Sequence, residues 1–287
     1  MLPEFELLMP RTLAEALAML ADYALDVLPV AGATNLIPDM RGGRRCPRYV
    51  VNIASLPELQ GIRQEDGHLV IGAAVTVAEV LDDPRIARMM PVLRDAAAVL
   101  ASPLVRNRAT VVGNLANASP AADMAPPLLA LDAEVELAST GGVRRVALKD
   151  FFVDVRRTVC QPHELVTAVR VPLPGFGSRS AFYKIGLRNA DAIAVVNGAV
   201  RVDLDEGGVC RTARIALGAV APTPIRAYEA ERALEGQVLT PEGIAEAARR
   251  AAEATRPIDD IRGAAAYRRY VAGVIVRRML EGVGSKE

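Results

Sequence analysis

Two short glycine-bearing segments, Val30-Ala-Gly-Ala-Thr-Asn35 and Thr110-Val-Val-Gly-Asn114, hold the residue types and spacing best suited to chemistry. Each follows an apolar, strand-like run, Val27–Val30 for the first and Thr110–Val112 for the second, and each ends on small polar residues. Such turns leave consecutive backbone N–H groups unpaired and aimed into one concavity, which suits the oxygens of a phosphate. Neither segment contains Lys or Arg, so a phosphate there must be held mainly by main-chain dipoles. Hydrogen bonds to a charged oxygen are worth about 1.5–3 kcal/mol each. Two converging segments could therefore hold a pyrophosphate, which points to a dinucleotide. The plainer alternative is that each glycine simply turns the chain after a strand. The first segment is not G-x-G-x-x-G, lacks an acidic residue about 20 positions on, and no G-x-x-x-x-G-K-[ST] string exists. The two common sequence-readable nucleotide sites are thus excluded.

The elements that must position these segments belong to a 287-residue chain, long for one compact core and expected to divide into two or three units. Lys plus Arg equals Asp plus Glu at 34 each, so no basic field points to nucleic acid, and the scarcity of aromatics (4%, no Trp) argues against base stacking. The N-terminus lacks the basic region of a signal peptide and no run of 18 apolar residues occurs, so a cytoplasmic chain with no membrane span is expected. Cys46, Cys160 and Cys210 are far apart and read as structural thiols, and His68 and His163 as solvated side chains, which leaves no metal site.

Thr12-Leu-Ala-Glu15 reads as a capping box opening a helix whose stripe is Leu13, Ala16, Leu17 and Leu20. That helix feeds the Val27–Val30 strand, and Tyr49 to Ile53 is a second buried strand, so residues 1 to about 56 form a small α/β unit. Beyond it, Gly67–Gly72 is a β run, Met89–Leu100 a helix with Pro91 in its first turn, and Ala133–Leu137 a period-two strand before a Gly141-Gly142 turn. This middle unit is expected to be a mixed sheet with covering helices. After a Val171–Gly177 linker, two long strands flank Asp205-Glu-Gly-Gly208, a hairpin signal. The last third is helical, with Thr240-Pro241 at a helix start.

The second segment continues as Thr110-Val-Val-Gly-Asn-Leu-Ala-Asn-Ala-Ser-Pro-Ala-Ala-Asp123. About 80 residues after Ala-Gly-Ala-Thr-Asn, this string resembles the FAD-binding subunit of the molybdenum hydroxylases. That family includes carbon monoxide dehydrogenase, xanthine dehydrogenase and 4-hydroxybenzoyl-CoA reductase. The resemblance runs essentially end to end, with further matches at Ile71–Thr76, Ser102–Asn107, Ala181–Lys184, Arg188–Ile193 and Arg262–Arg268. It implies an α+β fold: a two-lobed FAD domain of the p-cresol methylhydroxylase type over residues 1–176, with lobes of about 1–56 and 57–176. A smaller domain of antiparallel strands plus helices follows over 177–287.

The resemblance further implies FAD, held non-covalently, at Pro29, Val30, Ala31, Gly32, Ala33, Thr34, Asn35 and Leu36, and at Thr110, Val111, Val112, Gly113 and Asn114. Asp123, Val166 and Lys184 are the remaining implied contacts. Gly32 and Gly113 would permit close backbone approach. Asp123 would accept from sugar or ribityl hydroxyls or, on a plainer reading, cap the helix at Met124–Leu131. Lys184 would sit near the flavin and favour its anionic reduced form or, more plainly, be a solvated strand lysine. The family more often has Gly at Ala33 and Val112, where positive φ would be costly for the residues present. Asp191-Ala-Ile lacks the Tyr of carbon monoxide dehydrogenases, and the cysteine-bearing insert of the benzoyl-CoA reductases is absent, so no extra cluster is expected. The molybdopterin would lie in a large partner subunit and two [2Fe–2S] clusters in a small one, as a heterotrimer doubled by symmetry. Electrons would pass to NAD⁺, oxygen, a quinone or another acceptor. A free-standing flavin oxidase or reductase, or a flavin-free scaffold subunit, are the competing readings.

Overall fold

The computed structural model describes residues 2–285. Strand β1 (Glu6–Leu8), helix α1 (Leu13–Tyr23), β2 (Val27–Val30), α2 (Leu36–Arg41) and β3 (Tyr49–Asn52) make a three-stranded parallel sheet of order β1-β3-β2. Helix α1 buries Ala16, Leu17 and Leu20, the expected stripe. Its capping box is only half formed: Thr12 Oγ1 accepts from the Glu15 N–H, but Glu15 reaches past Thr12 to the Arg11 N–H. Pro29 is accommodated because β2 is an edge strand, where a missing N–H breaks no ladder.

The chain leaves β2 through Ala33, whose φ is +62°, before entering α2. A left-handed residue amid right-handed ones is the arrangement that curls successive N–H groups into a concavity. The other anticipated strain is absent: Val112 lies inside a helix and is not among the positive-φ residues.

The middle portion runs β4 (Ile62–Glu65), β5 (His68–Gly72), α3 (Val77–Asp82), α4 (Pro84–Met89), α5 (Pro91–Val99), α6 (Pro103–Arg106), α7 (Val111–Ala116) and α8 (Ala125–Ala130). It closes with β6 (Glu134–Ser139), β7 (Gly142–Ala147), β8 (Phe152–Asp154), β9 (Arg157–Thr158) and β10 (Leu165–Pro172). Its five-stranded sheet, β4-β5-β10-β6-β7, is antiparallel throughout rather than mixed as expected. The helices are inserted together between β5 and β6, which run the same way but have β10 between them, so the crossover makes no adjacent parallel pair. Helix α3 carries a complete Thr76/Glu79 capping box. At the sheet edge, Arg144 Nε and Nη2 donate to Glu164 at 2.6 and 2.7 Å, and the Gln161 N–H donates to it at 2.8 Å. These bonds, the Arg144 guanidinium first, hold the Glu164 carboxyl below the ordinary glutamate range.

The final portion is a four-stranded antiparallel sheet, β11 (Ser178–Gly186), β12 (Ala194–Leu204), β13 (Cys210–Gly218) and β14 (Ile225–Arg226), with α9 (Tyr228–Leu234), α10 (Pro241–Glu253) and α11 (Ala265–Gly284). Helices α9 and α11 pack on this sheet, and α10 packs on them. Val196, Val200, Val202, Ile215 and Leu217 join the helices in one apolar core. The alternate residues Ala199 and Ala216 belong to the other core, with Leu128 and Leu129 of α8. The sheet is thus packed on both faces. Asp132 at the end of α8 accepts from Arg201, Arg214 and Arg226 of three successive strands, a charged seam beside the apolar contact.

Two expectations follow. Ala33→Gly removes a left-handed alanine and should raise stability by about 1 kcal/mol, or Tm by roughly 2–4 °C; a lower Tm in a thermal melt would contradict the strain. Because Glu164 is depressed in the folded state, its stabilisation is complete above the ordinary pKa of about 4.3 and fades as pH falls through the lower folded value. Melts from pH 7 to 3 should show Glu164→Gln less stable at pH 7 and less steeply weakened by acid than the parent; parallel curves would refute the assignment.

Candidate functional site

Gly32 is where the two glycine-bearing segments meet. A Cβ built on it would lie 1.8 Å from the Arg108 carbonyl oxygen and 3.1 Å from the Ala109 nitrogen, so the backbones touch where only glycine fits. The stretch just before Thr110 is therefore laid against the exit of β2, although 76 residues separate the contacting positions 32 and 108 in sequence.

The first segment has the expected free donors. Among the described residues, the N–H groups of Gly32, Ala33, Thr34, Asn35 and Leu36 meet no acceptor, whereas that of Ile37 already bonds to the Ala33 carbonyl. Five successive unpaired amides follow the C-terminal end of a parallel strand at the left-handed Ala33, a backbone of the kind that can cradle anionic oxygens. Asn35 occupies the N-cap position of α2 without capping it, which leaves its carboxamide uncommitted to the helix.

The second segment differs from its expected form. Thr110–Asn114 is the first turn of α7, not a strand and turn, because the Thr110 side chain caps the helix by accepting from the Gly113 N–H at 2.9 Å. The Val111 N–H bonds to the Val75 carbonyl and that of Asn114 to the Thr110 carbonyl, so of Val111–Asn114 only Val112 keeps a free donor. Gly113 has a local purpose: a Cβ there would lie 2.7 Å from the Thr110 hydroxyl oxygen, so its bareness makes room for the cap. The Asn114 carboxamide oxygen accepts from the Met124 N–H at 3.3 Å and ties α7 to the Asp123 region.

Asp123 does not cap the following helix, whose N-cap position is Met124 with no side-chain bond. Its carboxylate is buried and already engaged: Lys184 Nζ donates to Oδ2 at 2.5 Å and Asn197 Nδ2 to Oδ1 at 2.8 Å. Burial pushes the Asp123 carboxyl above the ordinary aspartate range, against the opposing pull of the Lys184 ammonium. Lys184 is not a solvated strand lysine, since its side chain is 7% exposed and Nζ also donates to the Val99 carbonyl at 3.0 Å. It lines a cavity of about 530 Å³ between α5 and β11, with Val99, Phe182, Arg188 and Asp191. Val166 stands apart; its side chain is in the core, so any contact there falls to its backbone. Pro29, Val30 and Ala31 lead into the nest without polar side chains.

Sequence reasoning missed three participants: the Arg108 carbonyl, the Val99 carbonyl and Asn197. Only Asn197 left a signal, as a lone carboxamide inside the apolar run Ala194–Val200. The residues present fit a dinucleotide cofactor: a nest of free amides, a closely packed glycine, and a buried ammonium at the wall of a cavity.

Comparison with known proteins gives this geometry its context. Residues 3–174 match the family described as the FAD binding domain in molybdopterin dehydrogenase, and residues 181–283 the CO dehydrogenase flavoprotein C-terminal domain. The carbon monoxide dehydrogenase medium chain of Afipia carboxidovorans is 36% identical, over 95% of this chain and 94% of its own. The putative xanthine dehydrogenase FAD-binding subunit of Escherichia coli K12 is 36% identical, over 79% of this chain and 78% of its own. Among solved structures, the cyanide-inactivated Cu,Mo-CO dehydrogenase superposes with a TM-score of 0.95 at 35% identity, covering 99% of each chain. Quinoline 2-oxidoreductase from Pseudomonas putida 86 does so with a TM-score of 0.92 at 33% identity, covering 99% of this chain and 98% of that one. With both portions of the chain matched in order and the whole fold superposable, this protein belongs to the FAD-binding flavoprotein subunits of the molybdenum hydroxylase family.

Proposed function

We propose that the nest at Gly32–Leu36 and the Val112 amide hold the pyrophosphate of FAD, and that Lys184 faces the flavin from the wall of the cavity between α5 and β11. The observation that carries this reading is the backbone contact at Gly32, which unites the two segments and leaves five amides free beside it. Thr34, Asn35 and Thr110 add short polar groups around the phosphates, and residues 1–176 act as the cofactor-binding unit on which residues 177–287 are docked. When bound, FAD supplies the redox chemistry, linking single-electron donors to one- or two-electron acceptors. The chain's own work is to orient it non-covalently, to neutralise the phosphates with amide dipoles, and to present an ammonium whose charge favours an electron-rich flavin.

In this reading a large partner subunit carries the molybdopterin and oxidises the substrate, and a small one passes electrons through [2Fe–2S] clusters to this chain. The relatives support it, since they are named as chains or subunits of larger enzymes, among them the carbon monoxide dehydrogenase medium chain and subunit alpha of a 6-hydroxypseudooxynicotine dehydrogenase complex. Among the described residues no helix is long and apolar enough to cross a membrane, in keeping with a cytoplasmic enzyme. Each face that meets a partner would be repeated in a dimer of heterotrimers.

Gly32→Val should force the segments apart and lower flavin content at least about tenfold, the loss of one or two charged hydrogen bonds. Visible flavin absorbance per protein, with circular dichroism as the control for folding, measures it. Full flavin stoichiometry in a folded variant would sink the placement of the phosphates. Expressed with its neighbouring genes, the chain should be retained with one larger and one smaller polypeptide, the smaller bearing an iron–sulfur spectrum. Purification as a lone chain that turns over a small organic substrate would overturn the partnership.

A further inference from the structure

Lys184, Asn197 and Gly218 form one row across three strands of the C-terminal sheet, on the face turned toward the cofactor-binding portion: Lys184 pairs with Asn197, and Asn197 with Gly218. Asn197 is fully buried, with 0% exposure. Its Nδ2 donates to Asp123 Oδ1 at 2.8 Å and, at 3.5 Å, approaches the Ala122 carbonyl. Its Oδ1 has no donor among the described residues. A buried acceptor left unsatisfied costs about 1–3 kcal/mol. The reverse amide orientation is no remedy, because it would set Oδ1 against the Asp123 carboxylate. Space for this orientation is made by Gly218, where a Cβ would lie 2.2 Å from Oδ1. Two features, a bare glycine and an orphaned oxygen, are therefore spent on aiming one N–H at Asp123.

We infer that Asn197 is a positioning residue: by donating to Oδ1 it fixes the Asp123 carboxylate so that Oδ2 holds the Lys184 ammonium against the Val99 carbonyl, at the wall of the cavity. The two bonds fill different oxygens of one carboxylate, so removing the donor frees the carboxylate to rotate and loosens its grip on Lys184. The inference that this ammonium faces a flavin rests on the reading above; the positioning of Lys184 by Asn197 does not.

The chain offers a clean test, because only three of its 34 basic residues are lysines: Lys149, Lys184 and Lys286. Lys149 is half exposed in its side chain and serves as an internal reference. The full chain is treated briefly with an amine-acylating reagent and labelling at each lysine is read by peptide mass spectrometry. In the parent, Lys184 should label far more slowly than Lys149. In Asn197→Leu, which keeps the volume and removes the donor, labelling of Lys184 relative to Lys149 should rise about tenfold or more, as the loss of a hydrogen bond to a charged group predicts. Asp123→Asn should release it further. Gly218→Ala, which displaces the carboxamide, should mimic Asn197→Leu and decides the matter if that variant does not fold. Unchanged labelling of Lys184 in the folded Asn197 and Gly218 variants, with Asp123→Asn releasing it, would overturn the inference. A second readout separates this from the flavin reading: Lys184→Met should make the flavin midpoint potential more negative, and Asn197→Leu should shift it in the same direction in the parent but not in the Lys184→Met background. If Lys184→Met leaves the potential unmoved while labelling responds as stated, the positioning stands and the placement of the flavin falls.

Discussion

The bare Cα of Gly32 is the constraint on which the rest of the site depends. With the Arg108 carbonyl 1.8 Å from where a Cβ would be, any side chain would drive β2 and the stretch before Thr110 apart. Everything local is arranged around that contact. Ala33 turns left-handed immediately after it, the five amides of Gly32–Leu36 are left without partners, and α7 begins three residues beyond Arg108. In the proposed site, a close approach of two main chains would do what a basic side chain does elsewhere, without lysine or arginine in either segment. The dipoles are fixed by the fold, so they need no reorganisation to meet an anion.

The second dependence runs across the interface with the C-terminal sheet. One face of that sheet presents Lys184, Asn197 and Gly218 at one end and Arg201 and Arg214 toward the other, with Ala199, Ala216 and Arg226 in the row between. The apolar middle supplies burial, while the charged ends fix the register of one portion on the other. Buried ion pairs of this kind add little net stability, since desolvation offsets most of the attraction, but a misaligned seam would leave charges unpaired. The Asp123–Lys184 pair is a buried ion pair of that seam at the cavity, which is why the cavity wall and the docking of the C-terminal portion cannot vary independently.

Most of the architecture was legible because it rests on local signals. The Ala16/Leu17/Leu20 stripe, the Thr240-Pro241 helix start and the hairpin at Asp205–Gly208 are set by periodicity and turn chemistry, and the structure has each of them. The failures have physical causes. Thr110-Val-Val reads as a strand because β-branched residues favour one, yet Thr110 caps a helix and the apolar pair is buried in its first turn. Gly113, expected to permit close backbone approach, has a second purpose that the sequence did not show: it clears space for that cap. The sheet of the middle portion reads as mixed because helices follow its strands in sequence, but the strands they join, β5 and β6, are separated by β10, which is antiparallel to both. Asn197 and the two carbonyls at Val99 and Arg108 act through tertiary contacts that no spacing encodes. Of the nest itself, the glycine was visible and the left-handed alanine was anticipated as a cost, though not as the residue that gives the concavity its shape.

The distribution of committed and uncommitted polar groups describes what kind of protein this is. The carboxylates of Asp123 and Asp39 are engaged, Asp123 by Lys184 and Asn197 and Asp39 by Arg44 and Arg156. What the fold leaves free beside Gly32 is main-chain N–H, a group that binds and orients but neither takes nor gives a proton. An enzyme that performed its own acid–base chemistry would need the opposite allocation, with a titratable side chain held in reach of substrate. A chain whose side chains brace one another and whose free backbone amides can take an anion suits the proposed role, in which it holds a redox cofactor still rather than performing acid–base chemistry itself. That allocation, more than any single motif, is why two segments without a charged residue can be the most consequential in the sequence.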